Sequence, residues 1–129
     1  MESKAIVIIN ETHTLMEDQV RVLNKKFGEG NWKLYLSPKA GWSKNEMDYQ
    51  IQKIIKMVKE YGKLHVIFAS PIPYMLMELT RREIDAPSAE YCESTGLFVH
   101  VLHNDRREKK ELPNGKYIAV VAKEGWQLL

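Results

Sequence analysis

Ala5-Ile6-Val7-Ile8-Ile9-Asn10-Glu11-Thr12-His13-Thr14-Leu15-Met16-Glu17 is the stretch that decides the fold class of this 129-residue chain. Five consecutive apolar residues, four of them β-branched, match a strand covered on both faces, as in the centre of a parallel sheet. A polar turn follows. Thr14 and Glu17 then stand at capping-box spacing, which predicts a helix starting near Thr14. Met16, Val20, Leu23 and Phe27 recur at helical intervals before Gly28 and Gly30 stop the pattern. Strand, polar turn and amphipathic helix together make the first half of a β-α-β unit.

The same alternation continues outward. Trp32 to Leu36 reads as a second strand, and Ser43 with Glu46 repeats the capping box. Met47, Ile51, Ile54, Ile55 and Val58 form the stripe of the longest helix, ending at Gly62. Leu64 to Ala69 is a third strand. Ser70-Pro71 supplies a cap and a first-turn proline for a third helix, whose inward face is Ile72, Met75, Leu76 and Leu79. The pattern breaks between Asp85 and Gly96, resumes in a strand at Leu97 to Leu102, and ends in an apolar run at Tyr117 to Ala122. The intervening charged stretch contains Pro113-Asn114-Gly115 and no helical stripe, so the last two strands are expected to pair antiparallel. The expected architecture is one α/β domain over residues 1–129, a three-layer, Rossmann-like, mostly parallel sheet of about five strands near 4–10, 32–36, 63–69, 97–103 and 117–122, the last antiparallel.

Composition narrows the function. Nineteen basic against seventeen acidic residues give a net charge of +2, which calls for neither duplex nucleic acid nor an anionic membrane as partner. A lone cysteine, Cys92, and the lack of a signal-peptide pattern predict a cytoplasmic protein without an internal disulfide. Four scattered histidines suggest no metal, and no cofactor is expected. The chain lacks GxGxxG, GxxxxGK[ST] and GxSxG, so dinucleotide, Walker-type nucleotide and common esterase sites are excluded.

Ligands of open α/β sheets bind outside the carboxyl ends of the parallel strands. That rule selects Asn10, Glu11, Thr12 and His13 after the first strand, Ser70 after the third, and His103, Asn104, Asp105, Arg106 and Arg107 after the fourth. Helix starts at Thr14 and Ser70 offer amides to an anion, and Arg106 and Arg107 offer full charges. The same residues have ordinary uses: Asn10 and Thr12 as turn residues, Ser70 as a cap, and residues 106–111 as a solvated connection. His65 and His100 fall inside strand patterns and read as packing residues.

Ile8 through Gln19, an apolar strand running into His13-Thr14-Leu15 and an acidic-Gln helix start, resembles the small CRISPR-associated ring nucleases of type III loci, which are related to CARF domains. Ser70-Pro71-Ile72-Pro73 is similar to the turn that CARF and SAVED domains place beneath a cyclic nucleotide. The resemblance covers residues 5–36 and 63–82; the chain departs from it in the C-terminal third, which carries Glu124-Gly125-Trp126 near its end instead of a basic-aromatic tail. It implies a CARF-like homodimer that binds a cyclic oligoadenylate and cleaves it by metal-independent attack of a ribose 2′-hydroxyl. On this reading His13, Asn10 and His103 are catalytic, and Thr12, Thr14, Ser70, Asn104, Arg106 and Arg107 bind the ligand. A non-catalytic sensor or sponge of the same messenger and a protein-interaction subunit stand as alternatives.

Overall fold

The computed structural model describes residues 5–84 and 96–129. The stretch containing Cys92, Pro87 and Ser88, where the sequence pattern breaks, lies outside them. Strands are β1 (Ala5–Asn10), β2 (Lys33–Ser37), β3 (Leu64–Phe68), β4 (Leu97–His103), β5 (Arg107–Glu111), β6 (Tyr117–Val121) and β7 (Gln127–Leu128). Helices are α1 (Glu17–Phe27), α2 (Lys44–Tyr61) and α3 (Pro73–Ile84). The main sheet has the order β2-β1-β3-β4-β7, with β2, β1, β3 and β4 parallel and β7 antiparallel to β4.

Each face of this sheet carries its own apolar cluster. Ile6, Ile8, Leu64, Val66 and Phe68 pack with Ile51, Ile54 and Val58 of α2 and Met75 and Leu79 of α3. Ala5, Val7, Ile67 and Leu102 pack against Leu23 of α1, with Phe27, Trp32 and Trp126 around them. Covering on both faces is why β1 needs no polar alternation. α2 begins as its sequence suggests: Ser43 Oγ accepts the Glu46 N–H at 3.2 Å. Its end at Gly62 lies against Gly96, where φ is +70° and a Cβ would collide with the Gly62 carbonyl oxygen.

Four local expectations are corrected. Helix α1 starts one turn late, at Glu17, because the Gln19 side chain caps the Met16 N–H at 2.8 Å; Thr14 is not the cap. Its buried side consequently includes Gln19, while Met16 stays 37% exposed. Ser70 is not the cap of α3, which begins at Pro73 with the Leu76 N–H bonded to the Ile72 carbonyl. The strand at Tyr117–Val121 does not pair with β4. It pairs with β5, all of whose side chains are exposed, in a separate two-stranded sheet. The antiparallel partner of β4 is β7, whose two residues carry no periodicity to read.

Candidate functional site

Strand order reverses direction at β1: β2 lies on one side of it, β3 and β4 on the other. At such a switch point the loops leaving neighbouring strands diverge and open a crevice beyond the strand ends. Here the β1–α1 and β3–α3 loops are tied together by Ser70. The buried Ser70 Oγ accepts the Asn10 N–H at 3.0 Å and lies 3.4 Å from His13 Nδ1. A hydroxyl oxygen has two acceptor positions, so in the tautomer with the proton on His13 Nδ1 it accommodates both N–H groups and keeps its own proton to donate. A small cavity of about 190 Å³ opens above this pair, lined by His13, Thr14, Gln19, Ser70, Val121 and Trp126 among others.

Asn10 is committed to the scaffold. Its Nδ2 donates to the carbonyls of Pro38 and Lys39, and its Oδ1 accepts the N–H and hydroxyl of Thr12. Glu11 adds a bond from the Lys39 N–H to its carboxylate, so the loops after β1 and β2 are tied together. Asn10 and Thr12 therefore hold His13 in place from behind; among the candidates on these loops, His13, Thr14 and Ser70 line the cavity.

Beyond β4, Asn104 is buried and likewise committed: Nδ2 donates to the carbonyls of Ala122 and Glu124, and Oδ1 accepts the Arg106 N–H. His103 sits at the exposed end of β4, paired with Gln127 of β7, outside the cavity lining. Arg107 Nη1 donates to the Asn104 and Arg106 carbonyls. Arg106 lines a second, wider cleft of about 1150 Å³ with Met16, Asp18, Arg21, Lys123 and Glu124. Met16 borders both spaces, so cleft and cavity adjoin.

Three site residues escaped sequence reasoning. Gln19 is buried and lines the cavity; its place in the acidic-Gln helix start was the one available signal. Trp126 lines the cavity too, and its Nε1 is the one buried side-chain polar atom without a hydrogen-bond partner among the described residues. Asp18 fixes Trp126: its carboxylate accepts the N–H groups of Gly125 and Trp126, both at 2.9 Å, and pairs with Arg21. The Trp126 N–H, followed by Arg21, holds the Asp18 carboxyl below the usual carboxylate range. That contact spans more than a hundred residues, which no local pattern announces.

Among the described residues no group of three or more His, Cys, Asp or Glu side chains is arranged to hold a metal ion. No helix among them is long and apolar enough to cross a membrane. No protein-family model, curated protein or solved structure matches the chain.

Proposed function

We propose that this protein is a ring nuclease: a homodimer that binds a cyclic oligoadenylate at the β1–β3 switch point and opens it without a metal. The observation that carries the reading is the convergence of His13 and Ser70 on one cavity beyond the carboxyl ends of the parallel strands. With His13 Nδ1–H donating to Ser70 Oγ, Nε2 is the basic nitrogen. It takes the proton of a ribose 2′-hydroxyl as O2′ bonds to the adjacent phosphorus. The P–O5′ bond breaks, O5′ takes a proton from solvent, and the products are a 2′,3′-cyclic phosphate and a 5′-hydroxyl. Ser70 donates its hydroxyl proton to a phosphate oxygen, and Asn10 and Thr12 keep the loop in the geometry that in-line attack requires. Arg106 and Arg107 supply countercharge from the rim. Two such crevices related by a dimer axis suit a ring with repeated nucleotides.

The test is incubation with cyclic oligoadenylates of several ring sizes, in the presence of chelator, followed by mass analysis of bound and released nucleotide and by light scattering. Linear products ending in a cyclic phosphate, from a dimer, support the reading. A ring recovered bound and intact identifies a binding module instead, and no retained nucleotide overturns the site altogether. In His13→Ala, cleavage is expected to slow about thirtyfold, equivalent to about 2 kcal/mol of barrier stabilisation, with affinity nearly unchanged.

A further inference from the structure

The β5–β6 hairpin stands apart from both clusters of the core, and one of its faces continues the cavity wall. Its register pairs Arg107 with Val121, Lys109 with Ala119 and Glu111 with Tyr117. Directly paired residues share a face, and alternate residues along a strand share it too. Val121 lines the cavity, so Arg107, Lys109, Ala119, Glu111 and Tyr117 lie on the cavity side, while Glu108, Lys110, Ile118 and Val120 lie on the other. Tyr117 is 62% exposed; Arg107 gives Nη1 to the Asn104 and Arg106 carbonyls, and neither it nor Lys109 has a salt-bridge partner among the described residues.

We propose that this face of the hairpin is a nucleotide-binding arm, on which a phosphate-linked nucleotide beyond the one at His13 rests with its base on Tyr117 and its phosphates on Arg107 and Lys109. The inference rests on the oligoadenylate reading of the cavity. A space of about 190 Å³ falls below the usual range for even a drug-sized ligand, so a ligand of several nucleotides must lie mostly on flanking surface. The cleft past Met16 offers Arg21, Arg106 and Lys123 but sets Glu17, Asp18 and Glu124 among them, and Arg21 is already paired with Asp18. The hairpin face offers an aromatic ring and two cations about 7 Å apart along one strand, with Glu111 at the far end. Cations tracking a backbone beside an aromatic stacking platform are the elements of single-strand recognition. At the base of the arm the Ala122 N–H to Arg106 carbonyl bond closes the two strands on each other, and the Asn104 amide ties that base to the end of β4.

The test compares Lys109→Ala with Lys110→Ala, equal losses of charge on opposite faces of one hairpin, and Tyr117→Ala with Tyr117→Phe. Affinities for cyclic tetra-adenylate, cyclic hexa-adenylate and AMP are measured by calorimetry over a range of salt. Lys109→Ala and Tyr117→Ala are expected to weaken ring binding about tenfold and to leave AMP unaffected. Lys109→Ala also lowers the salt slope by about 0.7, whereas Lys110→Ala and Tyr117→Phe behave as wild type. Equal effects of Lys109→Ala and Lys110→Ala, or no effect of Tyr117→Ala, on a wild-type protein that binds rings overturn the arm and leave the cavity reading standing. A wild-type protein that binds neither ring overturns both.

Discussion

Strands β3 and β6 have the same length and a similar wealth of apolar side chains, yet four of the five residues of Leu64-His65-Val66-Ile67-Phe68 are buried and none of Tyr117-Ile118-Ala119-Val120-Val121 is. The difference lies in what flanks them. β3 sits between β1 and β4, with α1 on one face and α2 and α3 on the other; β6 has β5 alone. A two-stranded ribbon has no third layer to remove its side chains from water, and contributes little to stability by itself. The sheet therefore carries most of the folding energy, and the hairpin little of it.

The largest expected effect tests that division directly. Ile67→Ala empties a fully buried position beside α1 and is expected to cost about 3 kcal/mol in denaturant unfolding, whereas Tyr117→Ala is expected to cost less than about 0.5 kcal/mol. Comparable losses from both would show that the hairpin belongs to the core and break the comparison. Next in size is Gly96→Ala, at the entry to β4. An alanine there meets both a left-handed backbone and the Gly62 carbonyl, and the expected loss is about 2 kcal/mol, read from the unfolding midpoint. The same substitution at Gly115, in the hairpin turn, meets open space and is strained by its backbone alone, so its smaller loss sharpens the contrast.

The last effect is a pH dependence that belongs to the sheet, because the hairpin contains no histidine. His65 Nδ1 lies 2.8 Å from His100 Nε2, and His100 Nδ1 lies 3.1 Å from the Leu129 carbonyl. Burial, then the charges of His100, Lys26 and Lys63, push His65 down to about 4 from an ordinary 6.5. Between those values the unfolded chain binds a proton that the native state refuses, so stability falls as pH drops from 6.5 towards 4 and levels off below. His65→Phe, whose ring can stack on Phe27 and Phe98, is expected to flatten this slope in melts taken across that interval. A slope of undiminished steepness would move the effect to another group.

Much of the sheet was legible because its signals are local. The β-branched run at Ala5–Ile9, the cap at Ser43 and the stripe through Ile51, Ile54 and Val58 each state their structure within a few residues, and the strand ends point to Asn10, His13 and Ser70. What those residues do was less legible, since an asparagine that staples two loops and one that binds a ligand look alike in a sequence. Gln19 and Asp18 were missed as site residues for the same reason: a capping amide and a helix-start carboxylate acquire their second roles from partners folded against them.

The sequence by itself determined that the chain alternates strands with capped amphipathic helices and that its polar residues gather where the strands end. Apolar periodicity and capping chemistry are short-range, and each segment carries them whole. Only the tertiary structure decided the strand order, the exchange of β6 for β7 as the antiparallel neighbour of β4, and the seating of Trp126 beside His13. The last two turn on the Asn104 amide gripping the Ala122 and Glu124 carbonyls and on the Asp18 carboxylate capturing two N–H groups over a hundred residues away. Contacts between distant segments compete on geometry and solvation, and that competition is resolved only when the chain is folded.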